Sequence, residues 1–247
     1  MCGIFHPPAD EDEMTRRSVL QMALATVAMM PARTYLAAQG ADPGFTSLFN
    51  GKDLTGWAYG QRRGGENKSG RGYQVENGVI FSTKEDGGNL LTEKEYADFV
   101  FRFEFKLTEN ANNGIGIRAP LEGDAAYAGI EIQVLDDSGS QYTALKPYQY
   151  HGSIYGMVPP RRGFQKPVGE WNSEEITAHG RRITVKLNGT TIVDANLDDV
   201  KDPEMLKLHR DLSKPEGTRG IANTKGHVGL LGHGARVEFR NLRIKEL

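Results

Sequence analysis

The chain has 247 residues, a formal net charge of −2 and 25% charged residues. That balance excludes the basic footprint of a nucleic-acid binder or of a protein held on an anionic membrane surface. The single cysteine, Cys2, excludes an intrachain disulfide, and 30 glycines with few long helical patterns predict many turns between short strands.

The first segment reads as an export signal. Thr15–Leu20 is TRRSVL, an apolar run follows from Val19 to Met30 broken only by Gln21 and Thr26, and small residues come at Ala37–Ala41. A basic start, a short apolar middle and a small-residue end make a secretory signal. The run is too short to span a bilayer, and the paired Arg16–Arg17 resembles the twin-arginine signal. The expectation is a signal peptide and leader over residues 1–40 and a periplasmic or secreted mature chain without a membrane span.

Residues 41–247 read as one domain. Phe45, Leu48, Phe49, Leu54 and Trp57 can anchor a terminal strand around an Asn50–Gly51 turn. Ala58–Gly72 is a polar, Gly/Arg-rich loop. Tyr73–Ser82 is a hairpin with Asn77–Gly78 at its tip, and Gly87–Thr92 gives a short strand. In Asp98–Leu107, Phe99, Phe101, Phe103, Phe105 and Leu107 alternate with Arg102, Glu104 and Lys106. Period two makes this a principal core strand, with about 1.5–3 kcal/mol for each large apolar side chain buried. Asn110–Arg118 is a turn and a strand, Gly129–Asp137 (GIEIQVLDD) the next, and Tyr150–Gly156 another short one. Glu170–Ala178, Arg182–Leu187 and Thr190–Asp194 follow, the last two joined at Asn188–Gly189. A short helix fits Pro203–His209, and Gly226–Leu231 and Ala235–Ile244 close the chain. About a dozen strands at intervals of about 8–12 residues favour two packed antiparallel sheets.

GIEIQVLDD carries the chemistry. Ile130, Ile132 and Val134 form an apolar face, while Glu131 and Gln133 lie on the other face. A bulge at Leu135 would bring Asp136 to the same polar face. Such a row of acceptors fits a polyhydroxylated ligand. Laminarinase-type glucanases carry Glu-Ile-Asp-x-x-Glu on such a strand, and retaining glycosidases place two carboxyls about 5–5.5 Å apart. This sequence keeps Glu131 but has Gln133 in the middle and Asp136 last, so the motif supports the fold more than that mechanism. His151 and His233 are candidates for a base or a metal ligand, whereas His179, His209 and His227 sit beside turns and read as surface residues. Glu170 and Asn172 flank Trp171, an aromatic face for a sugar ring. Arg118 ends a strand, where a surface salt bridge competes with a ligand role. No HExxH, GxSxG, P-loop or dinucleotide fingerprint occurs.

In order, FTSLFNGKDLTGW, ANNGIGIR, YAGIEIQVLDD, HGSIYG, KPVGEWN, VKLNG and GHVGLLGHG with VEFRNLRI resemble the bacterial 3-keto-disaccharide hydrolase family, from Phe45 to Leu247. The resemblance implies a concanavalin A-like jelly roll, all-β, and cleavage of 3-keto-glycosides made by a partner sugar 3-oxidoreductase. The ketone at C3 acidifies the C2 proton, a base removes it, the C1 substituent leaves, and water adds. On this reading Glu131 or His151 is the base, and Arg118 or a divalent metal such as calcium stabilises the enolate. Gln133, Asp136, Tyr155, Glu170, Trp171, Asn172 and His233 hold the sugar, some of them as ligands of such a metal. The alternatives are a non-catalytic lectin-like carbohydrate-binding module, since fold does not fix function, and an ordinary endo-glucanase, which Gln133 disfavours.

Overall fold

A computed structural model of the chain describes residues 42–60, 72–83, 88–202, 206 and 220–247. The export segment, most of the loop at 58–72 and most of the helix expected at Pro203–His209 lie outside the described residues. The strands are β1 (Thr46–Ser47), β2 (Trp57–Gly60), β3 (Tyr73–Glu76), β4 (Val79–Ser82), β5 (Gly88–Thr92), β6 (Phe99–Leu107) and β7 (Asn112–Ala119). They continue as β8 (Ile130–Leu135), β9 (Trp171–His179), β10 (Arg182–Leu187), β11 (Thr190–Asn196), β12 (His227–Gly232) and β13 (Val237–Glu246). One four-residue helix, α1 (Ala125–Ala128), lies between β7 and β8.

Two antiparallel sheets pack face to face as a jelly roll. The eight-stranded sheet runs β11-β10-β9-β6-β13-β4-β3, with β1 also on β13, and the five-stranded sheet runs β2-β5-β12-β7-β8. Alternation builds the layer between them. Phe99, Phe101, Phe103, Phe105 and Leu107 of β6 enter it, as do Ile115 and Ile117 of β7, Ile130, Ile132 and Val134 of β8, and Val228 and Leu230 of β12. The turns follow from local chemistry. Asn77 and Gly78 sit at φ of +51° and +77°, and Asn188 and Gly189 at +50° and +85°, the left-handed pair that a two-residue hairpin between twisted strands requires. Asn50 accepts the Lys52 and Asp53 N–H groups through Oδ1, and Trp57 is buried with its indole N–H on Leu48 O at 2.8 Å. Pro43–Leu247 forms one compact unit. No helix among the described residues is long and apolar enough to cross a membrane.

Three local expectations are corrected. Strand β8 has no bulge: its register with β7 is unbroken from Ile130 to Leu135. The irregularity falls between β7 and β12, where Gly116 faces Gly229 but Ala119 faces His227. Ile117 and Arg118 together oppose Val228, and Arg118 adopts a left-handed φ of +49°. Residues 150–156 form turns rather than a strand, joined to β8 by one bridge, Ile132–Ile154. His227 is buried in the sheet, with Nδ1 at 2.7 Å from Thr92 O.

Candidate active site

The outer face of the five-stranded sheet provides a floor. Directly opposed residues of antiparallel strands share a face. Glu131 therefore lies beside Gly116, Gln133 beside Gly114 and Leu135 beside Asn112, and Gly229 continues the face on β12. Glycine at 114 leaves the room that the Glu131 side chain occupies. A Cβ there would fall on Glu131 Oε1 and within 2.7 Å of its Cδ, so the carboxylate lies flat over the bare backbone of β7. Glu131 is 3% exposed.

Walls rise around that carboxylate. Asp124 caps α1 by accepting the Ala126 N–H at 3.2 Å, which sets Tyr127 at the cleft. Asn223 holds the other end of α1 through Nδ2 to Ala128 O, at 2.7 Å. Tyr155 stands beside β8 because its N–H donates to Glu131 O at 2.9 Å, and its hydroxyl receives Gln149 Nε2 at 3.2 Å. His233, just past β12, brings Nε2 to 3.9 Å from Glu131 Oε1. With Asn112 and Gln133 these side chains line a small cleft of about 80 Å³. Burial pushes the Tyr127 phenol up to about 12, with the nearby Tyr155, Asp124 and Glu131 adding to it. Tyr127 therefore stays a neutral hydrogen-bonding group at ordinary pH.

Of the residues expected at the site, the structure brings together Glu131, Gln133, Tyr155 and His233. It places the others elsewhere. The bulge turns Arg118 into the end of the sandwich, where its guanidinium is buried. There it donates to Ala97 O (3.0 Å), Gly180 O (2.7 Å), Asn223 O (3.5 Å) and Asp98 Oδ1 (3.0 Å). It is neither a surface salt bridge nor available to an enolate in the cleft. His151 lies between the sheets against Phe105, ring centroids 5.0 Å apart, and does not line the cleft. Asp136, with no bulge to turn it, receives Asn110 N (2.8 Å), Ser138 N (3.0 Å) and Ser138 Oγ (2.6 Å), which fold the following loop. Trp171 is on the outer face of the other sheet, between Lys106 and Arg240 at 5.0 and 4.0 Å. Asn172 is buried, its Oδ1 accepting from Lys166 N (2.8 Å) and Asn188 Nδ2 (2.9 Å), and Glu170 is exposed beside it.

Sequence reasoning missed Asn112, Asp124 and Tyr127. Asp124 ahead of Ala-Ala-Tyr-Ala is a readable helix start, whereas Asn112 joins the site only through its register with Leu135. Among the described residues no group of three or more His, Cys, Asp or Glu side chains is placed to hold a metal ion. Of the two carboxylates at the cleft, Asp124 is engaged as the cap of α1, which leaves Glu131 as the one on the sheet floor.

A cleft with one carboxylate lying over glycine, an imidazole and two phenols can move protons on a bound sugar. The sequence profile of the 3-keto-alpha-glucoside-1,2-lyase-like domain matches residues 44–245. The chain belongs to that family. A relative in Bacteroides thetaiotaomicron, a 3-keto-disaccharide hydrolase, is 25% identical over 233 residues, covering 83% of this chain and 79% of its own length. Two solved structures of candidate glycosyl hydrolases from Parabacteroides distasonis are similar. One is 30% identical at a TM-score of 0.63, covering 83% of this chain and 94% of the other. The second is 25% identical at 0.65, covering 83% and 100%. Membership of the 3-keto-alpha-glucoside-1,2-lyase-like family, with these relatives, supports a glycoside hydrolase-like function.

Proposed function

We propose that the protein cleaves the glycosidic bond of 3-keto-glycosides by elimination followed by hydration, in the cleft on the five-stranded sheet. Glu131 takes the C2 proton. The C2–H electrons form an enolate with the C3 ketone, the C1–O bond breaks, and its electron pair leaves with the departing oxygen. Water then adds at C1 and a proton returns to C2. Tyr127 and Tyr155 donate hydrogen bonds to the enolate oxygen, where donors aimed at developing charge count most. His233, next to the carboxylate, passes a proton to the leaving oxygen. Gln133 and Asn112 bind hydroxyls.

The observation that carries this reading is the company Glu131 keeps. The neighbour on its own strand face is the amide Gln133, and Asp124 is engaged as the cap of α1. The set suits proton abstraction beside a ketone better than the carboxylate pair of a retaining glycosidase. The proposal includes export through the Arg16–Arg17 segment and a separate sugar 3-oxidoreductase that makes the ketone.

The test is incubation of the purified mature protein with a 3-keto aryl glucoside and with the unoxidised glucoside. Release of 3-keto-glucose from the oxidised substrate alone is expected. Cleavage of the unoxidised glucoside would return the weight to a glucanase, and sugar binding without cleavage to a lectin-like module.

A further inference from the structure

Behind the cleft, between the sheets, lies a buried acid–imidazole pair that the proposed reaction does not use. Glu174 of β9 points inward beside Phe103 and Phe105, and His151 reaches it from the turn segment beside β8. The two side chains are 0% and 1% exposed, and His151 Nε2 is 3.2 Å from Glu174 Oε2, a contact not aligned as a hydrogen bond. Neither Glu174 oxygen has a hydrogen bond among the described residues. A carboxyl left like that is costly to bury unless a partner holds it, and His151 is the partner the fold supplies.

His151 is held from three other sides. Its N–H donates to Asp137 Oδ1 at 2.8 Å, its Nδ1 receives the Leu135 N–H at 3.3 Å, and its ring packs on Phe105. With Nδ1 an acceptor, the ring proton belongs on Nε2, facing Glu174. The residues that follow run along β8. Gly152 N donates to Gln133 O (2.7 Å), Gln133 N to Ser153 O (3.1 Å) and Tyr155 N to Glu131 O (2.9 Å). His151 is thus the fixed end of the segment that carries Tyr155 to the cleft, and Glu174 ties that end to the opposite sheet.

We propose that His151 and Glu174 form a buried positioning pair that sets the Tyr155 phenol against Glu131. Neither is a catalytic residue; both act through Tyr155. The activity readout rests on the proposed reaction, while the structural readout does not.

The first test is a double-variant cycle on turnover of the 3-keto aryl glucoside. Tyr155→Phe and His151→Asn are each expected to slow turnover about tenfold, and the double variant by about tenfold again in total rather than about a hundredfold, because a residue acting only through Tyr155 has nothing left to lose without its hydroxyl. A double loss near a hundredfold overturns the proposal, since independent roles multiply. Should His151→Asn fail to fold, Glu174→Gln, which keeps shape and removes charge, takes its place with the same two outcomes. The second test labels the tyrosine rings with carbon-13 and records their NMR spectra in the Glu174→Gln variant. The Tyr155 resonance is expected to move while that of Tyr142, on the neighbouring loop, stays. A Tyr155 resonance that does not move overturns the proposal. This measurement needs no turnover, so a wild-type protein inactive on the 3-keto glucoside would remove the proposed reaction and leave the pair to be judged on the spectrum.

Discussion

The outer faces of the two sheets make opposite use of charge. On the eight-stranded sheet, charges are dense and neutralise one another: Arg102 and Lys186 meet on Glu175 at 2.6 and 2.9 Å, Arg240 meets Glu104 at 2.6 Å, and Lys106 and Arg236 meet on Glu238 at 2.6 and 2.8 Å. The depression there, about 250 Å³, is larger than the cleft. On the five-stranded sheet the floor is largely glycine, and the few polar side chains are sunk among walls. Ion pairs on an open face cancel and are screened, worth about 0–1 kcal/mol each. Glu131, by contrast, is buried at the edge of a cleft with the His233 imidazole beside it. Room and enclosure, rather than the count of polar groups or the size of a hollow, separate a site from a solvated surface.

The difference can be broken from the site side first. Glu131→Gln is expected to lower kcat on a 3-keto glucoside by about 10²–10⁴-fold, the usual contribution of a general base, with the melting temperature little changed; near-normal turnover would move the base elsewhere. Gly114→Ala comes next. Its methyl must displace the Glu131 carboxylate, and a misplacement on the order of 1 Å costs about 10²-fold. Here kcat/KM is the measurement, and a loss below about threefold would show that the carboxylate has another resting place.

Tyr127 sharpens the comparison through pH. With its phenol raised to about 12, Tyr127 gives the rate profile no alkaline limb below that value. In the unfolded chain the phenol ionises near its ordinary value of about 10. Stability is therefore fully present below that pH and lost as pH rises from there through the folded value, and Tyr127→Phe is expected to flatten this alkaline loss in thermal melts. The smallest effect belongs to the other sheet: Trp171→Ala is expected to leave kcat/KM within about twofold, as surface substitutions away from a site do. A large loss would return Trp171 to the sugar.

Much of the architecture was legible in period-two alternation and turn chemistry. Phe99–Leu107 alternated without a break, and Asn77–Gly78 and Asn188–Gly189 closed hairpins because both residues tolerate left-handed backbone. The floor of the candidate cleft was legible for the same reason, since alternation alone put Glu131 and Gln133 on the face away from the core. Arg118 and His151 were misplaced by features that alternation does not report. One bulged residue re-aims Arg118, and a turn segment at the strand's edge sends His151 inward while Tyr155 goes outward. Trp171 had the composition of a sugar platform, but its strand belongs to the other sheet, which only long-range pairing decides.

The central claim is that the sugar sits over Glu131. It is tested most directly by the crystal structure of the Glu131→Gln variant soaked with a 3-keto-glucoside. The account predicts the oxidised ring in the cleft, its C2 facing residue 131 and its keto oxygen toward Tyr127 and Tyr155. A ring bound instead on the outer face of the eight-stranded sheet, beside Trp171, would contradict it.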